Sequence, residues 1–126
     1  MQTTDVRQVL GRRGEDLAAE YLTGLGYRIV GRNWRCRAGE IDLIARIEQQ
    51  GRSKIVFCEV KTRSGLGYGS PLEAITYAKA RRLRQLAGQW LAETGEHGDD
   101  IRIDGIGVLI KPGTRPQIDH VQGIDG

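Results

Sequence analysis

The apolar positions change period several times along the chain, and each change marks an element. Leu10, Leu17, Ala18, Tyr21, Leu22 and Leu25 recur at three- and four-residue spacing, which predicts a helix over residues 6–25. Gly24 and Gly26 supply its stop. Gly14 interrupts that helix at a cost of up to about 1 kcal/mol against Ala, so close packing is expected there. Alternation of period two then takes over. A first strand opens at Tyr27-Arg28-Ile29-Val30 and runs toward Trp34. A second covers residues 40–48, with Ile41, Leu43, Ala45 and Ile47 on one face and Glu40, Asp42, Ile44 and Arg46 on the other. A third covers residues 54–63, with Ile55, Phe57, Glu59 and Lys61 sharing a face opposite Val56, Cys58, Val60 and Thr62. The short link 49–53 contains Gly51 and reads as a hairpin.

Gly65, Gly67 and Gly69 mark a loop that could touch a substrate; their spacing is not that of a dinucleotide-binding turn. A second helix is expected to start at Ser70, with Pro71 at its first position and Glu73 completing a capping box. Leu72, Ile75, Leu83, Leu86, Trp90 and Leu91 form its apolar stripe, and Gly95 ends it. Residues 101–111 alternate as a fourth strand, 112–116 turn, and 117–124 form a fifth. The predicted order is αβββαββ in one domain, with its core over about residues 6–122.

Composition narrows the class. The 126 residues are 39% hydrophobic and 28% charged, the balance of a globular protein large enough for one real core. No window approaches a membrane span, no secretory signal is visible, and Cys36 and Cys58 have neither zinc nor disulfide-framework spacing. Two reduced thiols in a cytoplasmic protein is the expectation. The net charge of +3 conceals an asymmetry: residues 1–90 hold 16 basic and 9 acidic side chains, net +7, whereas residues 91–126 hold 3 and 7, net −4.

Candidate chemistry follows from the third strand. Glu59 and Lys61 sit on one face of a strand with apolar flanks, where charges are costly without partners. If the second and third strands pair, Asp42 comes near Glu59. Two carboxylates about 4 Å apart repel by roughly 4 kcal/mol at an effective dielectric near 20. A proton, a lysine or a divalent cation must offset that, and an all-oxygen donor set suits Mg²⁺ or Mn²⁺. An ordinary ion pair on a solvated face is the bland alternative. The basic surplus clusters at Lys79, Arg81, Arg82 and Arg84 on the second helix and at Arg35 and Arg37 near Trp34, with Arg63 ending the third strand. These are candidate phosphate contacts, and Trp34 a candidate stacking platform. A solvated helix face and a core tryptophan are the alternatives. His97 and His120 show no ligand spacing; the first is expected to be exposed, the second a strand or turn residue.

On these residues the chain resembles the PD-(D/E)XK, or restriction-endonuclease-like, nuclease superfamily. The common αβββαβ core of that superfamily carries an Asp on its second strand and Glu-x-Lys on its third, matched here by Asp42, Glu59 and Lys61. Ile41 stands where the superfamily's name has proline. More narrowly, Gly14-Glu15, Gly26-Tyr27, Arg32-Asn33, Gly39-Glu40-Ile41-Asp42-Leu43-Ile44, Glu59-Val60-Lys61-Thr62-Arg63 and Arg102-Ile103-Asp104 are similar to the uncharacterised bacterial YraN-like family. That family is related to archaeal Holliday-junction resolvases, and the match spans about residues 11–110. The resemblance implies an α/β fold with a mixed central sheet flanked by helices. It implies hydrolysis of phosphodiesters in DNA, branched DNA included, with Mg²⁺ or Mn²⁺ and as a homodimer. Asp42, Glu59, Glu15 and the Val60 carbonyl would be metal ligands, and Lys61 would orient the attacking water. Glu40 would adjoin the ligands or form a structural ion pair. Two alternatives keep the fold without cutting: a nucleic-acid-binding module and a partner-binding accessory protein.

Overall fold

A computed structural model of the chain describes residues 5–65 and 69–126. Helix α1 (Val6–Gly24) leads into strands β1 (Arg28–Cys36), β2 (Gly39–Gln49) and β3 (Arg52–Arg63). A 3-10 turn (Pro71–Ala74), helix α2 (Tyr77–Thr94) and strands β4 (Asp100–Leu109) and β5 (Gln117–Val121) follow. The five strands form one sheet in sequence order. β1–β2, β2–β3 and β4–β5 pair antiparallel, while β3–β4 pair parallel. A parallel neighbour cannot be reached by a tight turn, and α2 lies in the connection that reaches it. The result is the expected αβββαββ order: a mixed sheet flanked by two helices, consistent with a restriction-endonuclease-like core.

Alternation along the strands builds two apolar layers. Ala18 and Leu22 of α1 pack on Leu43, Ala45, Val56, Cys58, Ile106 and Val108. Leu83, Leu86, Ala87 and Trp90 of α2 pack on Ile44, Ile55, Phe57 and Ile103. Each such large side chain contributes about 1.5–3 kcal/mol on burial. Phe57 and Trp90 add an edge-to-face contact at 5.6 Å between centroids. The β2–β3 hairpin turns through Gln50 and Gly51, both at positive φ (55° and 75°), the backbone a two-residue turn requires.

At Gly14 the backbone of α1 lies directly against the sheet. A Cβ there would fall onto the Thr62 hydroxyl of β3, so the glycine expected to mark close packing does. Gly105 and Gly107 of β4 do the same on the other face. Cβ atoms there would crowd Ile75 and Leu72 at 3.1 and 3.0 Å, and their absence seats the 3-10 turn on the sheet.

Three expectations are corrected. Ser70 does not start α2: its side chain makes no capping bond, and Pro71–Ala74 winds only as a 3-10 turn. Ile75 is extended, and Thr76 is the true N-cap, its hydroxyl accepting the Lys79 N–H at 3.2 Å. Seating Leu72 and Ile75 over the two glycines wins over the capping box. Ile41 also leaves the face of Leu43: it packs in the α2 layer and Leu43 in the α1 layer. Asn33, which stands opposite Asp42 by register, has φ +51°, and the alternation of both strands breaks at that level. Lastly, β1 runs past Trp34 to Cys36, while β5 ends at Val121. Residues 66–68 of the glycine-rich loop lie outside the described residues.

Candidate active site

The β2–β3 ladder runs in unbroken register from Gln49↔Arg52 to Leu43↔Cys58. One further step would pair Asp42 with Glu59. There Asp42 Oδ2 instead accepts the Val60 N–H at 2.8 Å. A strand amide must find an acceptor, and here a side chain supplies it. Asp42 and Glu59 thus stand at the mouth of the separating strands, as the strand pairing predicted.

A cleft of about 490 Å³ opens at this point. Its acidic side is Glu15 from α1, Glu40 and Asp42 from β2, and Glu59 from β3, with Val60 and Lys61 beside them. Its other wall is α2, through Lys79, Arg82, Leu83 and Leu86. Helices from opposite faces of the sheet reach one cleft because Gly14 brings α1 down onto β3 and places the next residue, Glu15, at its edge.

Burial and neighbouring carboxylates raise two of the four acids, Asp42 and Glu15. Burial pushes Asp42 up to about 7, and Glu15, Glu59 and Glu40 push the same way against the bond from Val60. Burial also raises Glu15; Asn33 and Arg32 oppose it, whereas Glu40 and Asp16 reinforce it. Lys61 Nζ lies 3.3 Å from Glu59 Oε1, with both side chains mostly buried. Among the described residues, no three His, Cys, Asp or Glu side chains are gathered closely enough to hold a metal ion as they stand. Glu59 is engaged by Lys61, and Asp42 by the Val60 amide.

The predicted cations divide. Lys79 and Arg82 line the cleft, and Arg82 also reaches across to the Ala38 carbonyl at 2.5 Å, tying α2 to the β1–β2 turn. Arg81 lies over the Tyr77 ring outside the cleft, and Arg84 pairs with Asp125. Arg35 pairs with Glu40 at 3.2 Å on the surface. This gives Glu40 an ion pair as well as a place at the cleft edge. Arg37 is exposed away from the cleft lining, and Arg63 is half-buried, its Nε without a hydrogen-bond partner among the described residues. Trp34 packs against the α2 layer. Cys36 and Cys58 are free thiols, and burial pushes that of Cys58 well up. His97 is exposed and His120 lies on β5, as expected.

Sequence reasoning missed a polar network beneath α1. Asp104, fully buried, takes two 2.9 Å bonds from Arg102, one of 2.7 Å from His120 Nε2 and one of 3.2 Å from the Gly123 N–H. Arg102 also bonds the Tyr27 hydroxyl at 2.6 Å, and Tyr21 meets His120 Nδ1 at 3.1 Å. With Nε2–H donating to the carboxylate, Nδ1 is free to accept from Tyr21. Burial alone would raise Asp104, yet the bonds from His120 and Arg102 hold it below the usual carboxylate range. Opposite charges at 102 and 104, on one face of an apolar strand, were the signal available in the sequence.

Fold and cleft together define a mixed α/β protein with an acidic, lysine-bearing strand pair at the open end of a restriction-endonuclease-like sheet. The model of the uncharacterised protein family UPF0102 matches residues 14–108, and the chain belongs to that family. It is 55% identical over 113 residues to a UPF0102 protein of Rhodococcus jostii, covering 90% of this chain and 92% of the relative. It is 52% identical over 118 residues to one of Nocardia farcinica, covering 94% and 90%. With one of Mycobacterium bovis it shares 51% over 124 residues, covering 96% and 95%. No described helix is long and apolar enough to cross a membrane.

Proposed function

We propose that the cleft hydrolyses phosphodiester bonds in DNA, branched DNA included, with Mg²⁺ or Mn²⁺ as cofactor. The observation that carries this reading is the meeting of Asp42, Glu59, Lys61 and Glu15 in one cleft whose facing wall is cationic. The donors fit a hard divalent ion: all are oxygens. Burial, with the repulsion of Glu15, Glu59 and Glu40 added, leaves Asp42 at about 7, and a dication would offset both. Asp42, Glu59, Glu15 and the Val60 carbonyl would hold it, and it would supply a water of lowered pKa and a polarised phosphoryl oxygen. Lys61 is paired to Glu59 at 3.3 Å; once that carboxylate is engaged elsewhere, its ammonium is available to orient the nucleophile and offset charge on the phosphate. Lys79 and Arg82 would hold the flanking backbone from α2. A homodimer would present two such clefts to a branched substrate.

The test is cleavage of labelled single-stranded, duplex and four-way-junction DNA with Mn²⁺. Wild type is expected to cut. Asp42→Ala should abolish cutting, and Lys61→Ala should lower it on the order of 10²–10³-fold, the scale of losing one electrostatic stabiliser. Cutting that persists undiminished in both variants refutes the assignment, and tight binding without cutting by wild type favours a non-cleaving module.

A further inference from the structure

The first turns of α1 project past the sheet. The line that faces the sheet at Leu22, Ala18 and Gly14 is buried; continued toward the N-terminus, it passes half-buried Gly11 to exposed Arg7. Between Val6 and Gly14 the chain carries Arg7, Arg12 and Arg13 and no acidic residue. None of the three side chains is in an ion pair among the described residues, and the same holds for Arg82 of the cleft wall. The placement breaks a local rule. Cations in a helix's first turns oppose its dipole; the acid at this end is the N-cap Asp5, whose side chain accepts the Arg7 N–H at 2.9 Å, and the three arginines outnumber it.

Direction matters more than count. At 100° per residue, Arg12, one turn before Glu15, and Arg7, two turns before it, flank the helical line on which Glu15 enters the cleft. Arg13 lies on the other side with Val6 and Val9, which are 78% and 51% exposed. Arg7 and Arg12 stand about 140° apart on that helix, one on each side of the Glu15 line, so a polyanion held between them would be directed toward the cleft, whose opposite wall carries Lys79 and Arg82.

We propose that the projecting start of α1 is a phosphate-binding arm, in which Arg7 and Arg12 grip the nucleic-acid backbone on the side of the cleft away from α2. This rests on the nucleic-acid reading of the cleft. It makes the binding surface two-walled, so that a strand is held on both sides of Asp42 and Glu59.

Affinity for labelled single-stranded and duplex DNA, measured in EDTA across a salt series, tests it without catalysis. Arg7→Gln/Arg12→Gln should weaken binding roughly tenfold at low salt and lower the log–log salt slope by about 2, about one for each phosphate no longer neutralised. Lys111→Gln/Arg115→Gln removes the same charge at the β4–β5 turn and should leave both unchanged. Circular dichroism confirms that each variant is folded. An unaltered slope in Arg7→Gln/Arg12→Gln, with binding lost in Lys79→Gln/Arg82→Gln, overturns the arm and leaves the cleft reading standing. Equal losses in Arg7→Gln/Arg12→Gln and Lys111→Gln/Arg115→Gln also overturn it, as an effect of net charge alone. If Arg7→Gln/Arg12→Gln instead releases the protein from phosphatidylglycerol vesicles while DNA affinity holds, the helix is a membrane-surface element and the arm falls. Wild type that binds neither DNA form brings down both readings.

Discussion

Asp42→Asn should make the protein more stable at neutral and alkaline pH. In the fold the carboxyl titrates near 7, against 3.8 for an unperturbed aspartate, because burial and three neighbouring carboxylates disfavour its charge. The unfolded chain ionises near 4 and the folded one near 7. Between those values unfolding releases a proton, and the native state loses about 1.4 kcal/mol per pH unit. The loss is absent below pH 4, where both states are protonated, and complete above pH 7. Its ceiling is about 4 kcal/mol, and partial solvent access and relaxation bring the expectation to about 2–4 kcal/mol. Asparagine keeps an oxygen for the Val60 amide and carries no charge. In thermal melts at pH 8 the variant should therefore exceed wild type on the order of 5–15 °C, with the two curves converging toward pH 4. Mn²⁺ should close the gap from the other side, stabilising wild type by about 2.7 kcal/mol at 100-fold over Kd and the variant little. A variant less stable than wild type at pH 8, or a gap that does not change with pH, refutes the electrostatic account of the cleft.

Gly14→Ala should destabilise the protein by about 1–3 kcal/mol through overpacking, and Thr62→Ala in the same chain should restore most of it in urea melts; no recovery would put the clash elsewhere. Asp104→Asn should cost about 2–4 kcal/mol, since it leaves the half-buried Arg102 without its charge partner. Because Asp104 is held below its ordinary value, its contribution is present above about pH 4 and lost as the solution is acidified, so the wild-type advantage should shrink in acid melts. Thr76→Ala should cost about 1 kcal/mol as an N-cap loss, and Ser70→Ala much less, since Ser70 makes no capping bond; the reverse order in chemical denaturation would restore Ser70 as the cap.

Much of the architecture was legible because it is written in local periods. The 3.6-residue recurrence from Leu10 to Leu22 and the two-residue alternation of β3 each depend on one buried face, and burial enforces them. Glu59 and Lys61 were readable for the same reason: they occupy a phase that neighbouring residues fill with Ile55 and Phe57. What escaped depends on contacts distant in sequence. The start of α2 is decided by Gly105 and Gly107, some thirty residues away, which admit Leu72 and Ile75. The layer change at Ile41 is set by Asn33 on the neighbouring strand, and only Asn's tolerance of positive φ hinted at it. His120 meets Tyr21 across 99 residues, beyond any spacing rule. The separation of Lys79 and Arg82 from Arg81 and Arg84 follows from how α2 is rotated on the sheet, and a charge count does not contain that rotation.

The network around Asp104 bears on how this chain tolerates handling at its end. The Gly123 N–H bonds Asp104 at 3.2 Å, the Ile124 N–H bonds the Ile103 carbonyl at 2.9 Å, and Asp125 pairs with Arg84. The last residues are thus stitched to the central sheet and to α2, although they belong to neither. A stop codon introduced after Val121 would remove only five residues, yet it would strip one donor from the buried carboxylate and unfasten α2 at one point. An affinity tag fused directly at Gly126 pulls on that same seam, and a linker or a tag at the other terminus spares it.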